Sequence, residues 1–328
     1  MRRFFVAAVA SRRRIISAAM ILCILVVAGG LFYLVTREQL YDPGFDTRVS
    51  EPAYRTGGPQ VRFDEAHRNR HKASGGYKPF VDLIRNDGYH VQVNREPFAL
   101  ERLADVSVLV VVCAMGRNDA RNAPAFMDEE AAAVTQWVRS GGSLLLIADH
   151  FPFSAAAASL SGRFGVEIGD GMVEDPKQHE PSLGDSHLVF SHANGLLQDH
   201  PITRGRNPAE RIERVLTFTG VSLGNTANGA AFLTLSDTAV DRPASVPTIE
   251  KDGGNVRVTT TYGEPVSAKG RAQCVALDLG QGRVVVLGEA GMLSAQRDSR
   301  GTPVGMNYRG YDNRQLALNI MHWLSRLL

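Results

Sequence analysis

The sequence predicts an α/β fold in which a mostly parallel sheet is covered by helices on both faces. Three observations predict it. Val106–Cys113 (VSVLVVVC) and Ser143–Ala148 (SLLLIA) are unbroken apolar runs, the mark of strands buried on both faces. Between them Asp128–Ser140 (DEEAAAVTQWVRS) spaces its apolar residues for a helix, with acids in the first turn and Gly141-Gly142 to end it. Strand, helix, strand at this spacing implies parallel pairing through a crossover.

The remaining elements follow in chain order. Val61–Phe63 is a short strand. Pro79–Asn86 (PFVDLIRN) has helical spacing, with Gly88 placed to stop it. His90–Val93 is a weak strand. Ser154–Phe164 (SAAAASLSGRF) is a small-residue helix closed by Gly165. Residues 166–270 hold His179, His187, His192, His200 and short strand-like pieces such as Val215–Phe218 and Ala231–Leu233, and are read as a long insertion or subdomain. Gln273–Leu279 and Arg283–Leu287 form a hairpin across Gly280-Gln281-Gly282. Asn313–Leu328 closes the chain as a helix with Leu316, Ile320, Trp323, Leu324 and Leu327 on one face; Asp312 and Gln315 give it a capping-box-like start. There is no internal repeat.

The front of the chain indicates its compartment. Residues 1–14 are basic, carrying Arg2, Arg3, Arg12, Arg13 and Arg14. Ile15–Thr36 is apolar without a charged side chain and as a helix would span roughly 33 Å, enough for a hydrocarbon core of about 30 Å. Arg37, Glu38 and Asp42 follow it. That asymmetry orients a single-pass anchor of a bacterial inner membrane, N-terminus in the cytoplasm and the rest periplasmic or otherwise extracytoplasmic. A cleaved signal peptide is the rival reading, but its apolar core is normally shorter. Residues 37–60, rich in proline and glycine after Tyr41, read as a tether, and 61–328 as the folded domain.

Five of the 36 basic residues precede the anchor, leaving 31 against 34 acidic ones beyond it. A slightly acidic exported portion has no electrostatic footprint for nucleic acid. Beyond Cys23 in the anchor there are two cysteines, Cys113 and Cys274, so no disulfide framework is implied. The string Asp64-Glu65-Ala66-His67 matches a helicase motif, but the phosphate-cradling loop G-x-x-x-x-G-K-[ST] that a helicase also needs is missing from the chain.

The polar residues gather at strand ends. Asp64, Glu65 and His67 follow the first strand, Asp149 and His150 follow SLLLIA, and Glu289 follows RVVVLG. In an open parallel sheet the carboxyl ends of the strands form the ligand-binding edge, so these residues are expected to share one site. Asp64, Glu65 and Glu289 are the candidate catalytic acids. His67, Asp149 and His150 are the candidate metal ligands, and their mixed histidine and carboxylate character would suit zinc or manganese. Asn69, His71, Asn307 and Asp312 are candidate ligand-binding groups. Each has a plainer reading: Asp149 and Asp312 as helix caps, His67 and His71 as loop histidines, His179, His187 and His192 as solvated. Cys113, in V-V-V-C-A-M-G, lacks the preceding glycine of a nucleophile elbow and is expected to be a buried structural thiol.

The stretches W-V-R-S-G-G-S-L-L-L-I-A-D-H and D-H-P-I-T-R-G resemble the class I glutamine amidotransferase-like superfamily, and more closely a bacterial domain-of-unknown-function family within it, akin to trehalose-utilisation-type domains. The resemblance covers roughly 61–328, with Gly141–Asp149 and His200–Gly205 its most specific parts. It implies a flavodoxin-like three-layer α/β sandwich. It supplies no activity, because the amidotransferase Cys-His-Glu triad sits on a G-x-C-x-G elbow that this chain lacks. Two functions are then expected: a membrane-anchored module binding an envelope carbohydrate or other small polar molecule without glutaminase activity, or a hydrolase using a divalent metal at the acid and histidine cluster.

Overall fold

A computed structural model describes residues 41–117, 123–224, 229–244, 248–252, 255–259, 261–298 and 300–328. The basic N-terminus and the expected anchor, 15–36, lie outside the described residues. Among the described residues no helix is long and apolar enough to cross a membrane.

The strands of the main sheet are β1 (Gln60–Asp64), β2 (His90–Asn94), β3 (Val108–Val112), β4 (Ser143–Ile147), β5 (Glu167–Ile168), β6 (Leu223–Gly224), β7 (Ala230–Thr234), β8 (Ala272–Leu279) and β9 (Gly282–Leu287). The longer helices are α1 (Lys78–Asn86), α2 (Asp128–Arg139), α3 (Phe153–Gly162) and α4 (Asn313–Leu324). Spatial order is β2-β1-β3-β4-β9-β8-β6-β5, with β7 also paired to β8. The first five run parallel; β8 turns back antiparallel to β9. The sheet is thus mixed but mostly parallel in its core, consistent with a flavodoxin-like fold.

Period-two alternation divides the core into two layers. Val110, Leu145 and Val285 face α1 and α4 through Phe80, Ile84, Leu316 and Ile320. Leu109, Leu144, Leu146 and Val286 face α2 and α3 through Val134, Trp137 and Leu160. Every residue of β3 and β4 is buried, which explains why these two runs carry no polar alternation. α1 ends where expected: Gly88 takes φ +99°, and a Cβ there would strike the Tyr54 carbonyl.

Two expectations of organisation read differently in three dimensions. Segment 166–270 supplies β5, β6 and β7 to the far edge of the same sheet and otherwise folds as short antiparallel ribbons; residues 41–328 form one compact unit. Residues 41–59, expected as a tether, pack on the domain. The Asp42 amide donates to Ala295 O at 2.8 Å, the Arg314 guanidinium to Arg48 O at 2.6 Å, and the Tyr54 and Tyr89 rings meet edge-on at 5.1 Å. Buried donors and aromatic surface hold a stretch whose Pro and Gly content suggested solvent.

From β1 the chain goes to β2 on one side and then crosses to β3 on the other. The order therefore reverses between β1 and β3, and a crevice opens at their carboxyl ends.

Candidate functional site

Beside that reversal, Asp64 ends β1 with a fully buried carboxylate. It accepts from His67 Nδ1 at 2.8 Å, Asn69 Nδ2 at 3.1 Å, Asn94 Nδ2 at 3.0 Å and the Ala66 amide at 3.3 Å. His67 Nε2 lies 2.9 Å from Glu130 Oε1, on the first turn of α2. Glu130 in turn accepts the amides of Phe98 at 3.0 Å and Met127 at 2.9 Å. Burial works against a charge on His67, but the hydrogen bonds and charges of Asp64 and Glu130 outweigh it and raise its pKa. The result is an imidazole clamped between two carboxylates that favour its charged form, with the rings of Phe98 and Phe126 at 4.5 and 4.8 Å.

On the other face of the same edge, Cys113 follows β3 with φ +44°. A non-glycine residue in the left-handed region costs about 1–3 kcal/mol and persists only where its surroundings fix it. They do so here: the Cys113 amide donates to Ile147 O at 2.9 Å, and the Arg70 amide donates to Cys113 O at 3.0 Å. The expectation that no strained turn occurs at this cysteine is therefore corrected. Hydrogen bonds to the neighbouring strand and loop impose the turn, with no help from a preceding glycine. The thiol itself is fully buried; burial, then the charges of Asp149 and Glu289, push its pKa well up.

Asp149 and Glu289 act on this thiol, and Asp149 on Glu289, through their charge. Glu289 is fully buried and accepts the amides of Gly291, Phe218 and Met292, the last at 2.7 Å; burial and then Asp149 raise its pKa despite those donors. Asp149 accepts the His150 amide at 2.7 Å and that of Ala290, and burial pushes its pKa up to about 6. Thr219, at φ +64°, and Gly220 close over Glu289; a Cβ on Gly220 would lie 2.6 Å from that of Glu289. Tyr77 completes the floor, its hydroxyl donating to Ala290 O at 2.6 Å.

The expected single site is thus two adjoining clusters on one edge: Asp64, His67 and Asn69 in the first, Asp149 and Glu289 in the second. Glu65 flanks the first, accepting the Ala73 amide at 3.0 Å, with Arg95 at 3.7 Å. His150 borders the second; its Nδ1 meets Phe151 O at 3.0 Å. His71 is buried against Tyr77, ring centroids 5.1 Å apart, and burial lowers its pKa to about 4. Asn307 is bound instead to Asp42 and Gln296 O. Asp312 does not cap α4 through its side chain; it accepts the amides of Glu213 and Arg214 at 2.8 and 3.0 Å, tying the loop before 214 to the helix. Asp149 likewise caps the turn at Ala290 and not α3, whose N-cap is Pro152.

The metal assignment of His67, Asp149 and His150 does not fit this geometry. Both nitrogens of His67 already face carboxylates, and it lies in the other cluster from Asp149. Among the described residues no three His, Cys, Asp or Glu side chains are grouped to hold an ion.

Glu130, Tyr77 and the crevice walls escaped sequence reasoning. In the sequence Glu130 is one of three acids complementing a helix dipole, and its link to His67 spans 63 positions. The crevice encloses about 520 Å³ and is bounded by Arg68, Arg95, Phe98, Met115, Arg117 and Met127 among others. The D-H-P-I-T-R-G stretch does a structural job: His200 Nδ1 accepts the Ile202 amide at 3.1 Å, and its ring packs between Phe232 and Trp323.

No protein-family model and no curated protein matches this chain. Solved structures do. The chain is similar to the mmIFT52 N-terminal domain at 14% identity and TM-score 0.57, over 81% of this chain and 97% of that one. It is also similar to a ThuA-like protein from Bacteroides uniformis (13% identity, TM-score 0.41, 86% of this chain and 95% of that one). A second ThuA-like protein, from Parabacteroides merdae, aligns at 11% identity and TM-score 0.41, over 82% of this chain and 90% of that one. The first likeness shows the fold. At these identities none carries an activity.

Proposed function

We propose that this chain is a glutamine amidotransferase-like ligand-binding domain, held outside the cytoplasm on an N-terminal membrane anchor, which takes a small polar ligand at the carboxyl edge and has no glutaminase activity. The observation that carries this is the state of Cys113. Its backbone keeps the strained turn of a nucleophile, but its thiol is buried beside two acids. Attack on an amide needs a thiolate, formed with a histidine base or a nearby positive charge. Asp149 and Glu289 oppose that ionisation. His67 is held by Asp64 and Glu130, and His150 by the Phe151 carbonyl, so neither is turned to the sulfur. The metal-assisted alternative has lost its ligand set.

The test uses the full chain in a neutral detergent. Iodoacetamide at neutral pH should leave Cys113 unmodified until the protein is unfolded, glutamine should release no ammonia, and Cys113→Ser should change ligand binding by no more than a few-fold. Rapid alkylation of the folded protein, together with ammonia release that Cys113→Ser abolishes, would overturn the reading.

A further inference from the structure

Residues 42–46 and residues 297–314 face each other across a second pocket, which encloses about 760 Å³ and shares no lining residue with the crevice beside β1. Its charged groups are matched. Asp42 accepts Arg297 Nη2 at 2.8 Å, Asn307 Nδ2 at 3.0 Å and the Gly44 amide at 3.1 Å. Asp46 is held by Arg48 through Nε at 2.9 Å and Nη2 at 2.7 Å. The Arg314 guanidinium donates to the carbonyls of Arg48 at 2.6 Å and Asp46 at 3.4 Å, and Arg309 is exposed on the rim. An anion here would meet two carboxylates, and a cation three guanidinium groups. What lacks a partner is an acceptor. Asn307 Nδ2 also donates to Gln296 O at 2.9 Å, which fixes the amide's orientation and leaves its Oδ1 buried without a hydrogen bond. Gln296, 1% exposed, has the same lack at Oε1. Buried acceptors without a partner are rare in folded proteins, and only a group that carries a hydrogen serves them. The rest of the wall is apolar or aromatic, with Phe45, Met306, Tyr308 and Tyr311. Both tyrosine hydroxyls are engaged, by Ser182 at 3.2 Å and by Glu180, so it is the rings that serve the pocket. Arg214 already lies over Tyr311 at 4.2 Å, so Phe45 and Tyr308, both half-buried, supply the ring surface.

We propose that this pocket binds a neutral sugar-type ring, with a hydroxyl donating to Asn307 Oδ1, directly or through one bound water, and a C–H face lying on Tyr308. A hydroxyl suits the polar groups because it both donates and accepts, whereas a carboxylate only accepts and an ammonium only donates. An aromatic wall with a few convergent polar groups, in a volume between roughly 300 and 1,000 Å³, is the ordinary form of a small-molecule site. The site is additional to the one proposed above and does not depend on it.

Methyl glycosides of glucose, galactose, mannose and N-acetylglucosamine, with glucuronate and benzoate as charged controls, are titrated into the full chain in a polyoxyethylene detergent, which carries no sugar, and followed by ligand-observed NMR. At least one neutral glycoside should bind saturably, about tenfold or more tightly than either anion, and added salt should leave its affinity unchanged. Tyr308→Leu should lower that affinity by about tenfold or more. Tyr308→Phe, which keeps the ring and loses the bond to Ser182, should leave it within a few-fold, as should Arg309→Gln. Melting temperatures report the folding of each variant, and Phe45→Leu on the facing wall gives a second reading where Tyr308→Leu does not fold. No binding of any glycoside, equal losses in Tyr308→Leu and Tyr308→Phe, or a preference for the anions that salt and Arg309→Gln abolish would overturn the assignment. Glycoside binding that neither ring variant weakens would overturn this site while leaving the reading above in place. Alkylation of folded Cys113 with ammonia release would overturn that reading and leave this site standing.

Discussion

Asp149 and Glu289 make the carboxyl edge sensitive to pH. An acid whose pKa rises on folding holds its proton more tightly in the folded state, so its contribution is fully present below the ordinary pKa, 3.8, and is lost as pH rises through the raised one, about 6 for Asp149. Above that, a carboxylate confronts Glu289 inside the fold. Asp149→Asn removes the charge and keeps an oxygen for the His150 amide. It should stabilise the protein at pH 8 by about 1–3 kcal/mol and flatten the fall in stability between about pH 4 and 7. Urea unfolding midpoints at pH 5 and pH 8 decide this; an unchanged slope would remove the pair from the account. His67 acts in the same sense at higher pH. Its raised pKa contributes stability below 6.5 that is lost as pH climbs through the folded value. Asp64 behaves oppositely to a crowded acid. Its place beside Glu65 in the sequence predicts a replacement that is harmless or stabilising. With the His67 ring and two asparagine amides bonded to it, Asp64→Asn should instead cost about 1–3 kcal/mol. Circular-dichroism melting of that variant, set against Asp149→Asn, would separate the two kinds of acid.

Between elements, a fully buried polar link joins the end of α1 to α4. Asp87 and His322 meet at 2.7 Å with 1% of each side chain exposed, and Asp87 also accepts the Ala53 amide at 2.8 Å. Removing one partner of such a pair leaves the other buried without compensation, so Asp87→Ala should cost about 3–5 kcal/mol, measured by urea denaturation. A loss under about 1 kcal/mol would mean that water reaches His322 in the native state. The helices and central strands around this link were legible because each repeats its apolar residues with its own period over five residues or more. The candidate site was legible only as a list of strand-end acids. Which acid meets which donor depends on the chain crossing from β1 to β3 and on Glu130 arriving from another element. Nor does the left-handed turn at Cys113 leave a local trace, since strand neighbours fix it and no glycine marks it.

For the whole molecule, the proposal turns on residues 15–36, which lie outside the described structure. On the proposed reading, the five arginines before that stretch, with Glu38 and Asp42 after it, would orient it with the N-terminus inside. A reporter active only outside the cytoplasm, fused after Leu328, should be active, and one active only inside should be silent. The reverse pattern would place the domain in the cytoplasm and remove the envelope ligand from consideration. Segment 166–270 was the least legible part because its strands are two to five residues long. Short antiparallel ribbons satisfy their backbone locally and carry too little periodic signal to declare their partners.

The pairing of β4 with β9 has a consequence for biogenesis. Ser143 lies beside Arg283, a separation of 140 positions, and Leu144, Leu145, Leu146 and Ile147 have their second neighbour only once β9 is present. During synthesis, that strand stays an open, apolar edge until the chain has been made through β9. Such an edge is a template for pairing with other chains. A chain that stalls or is clipped before residue 282 therefore keeps the half of the sheet carrying Asp64 and His67 but leaves β4 uncovered, and should accumulate as aggregate or be degraded. The β9 segment acts as an internal quality checkpoint, since only a chain made through Leu287 can close that hydrophobic seam.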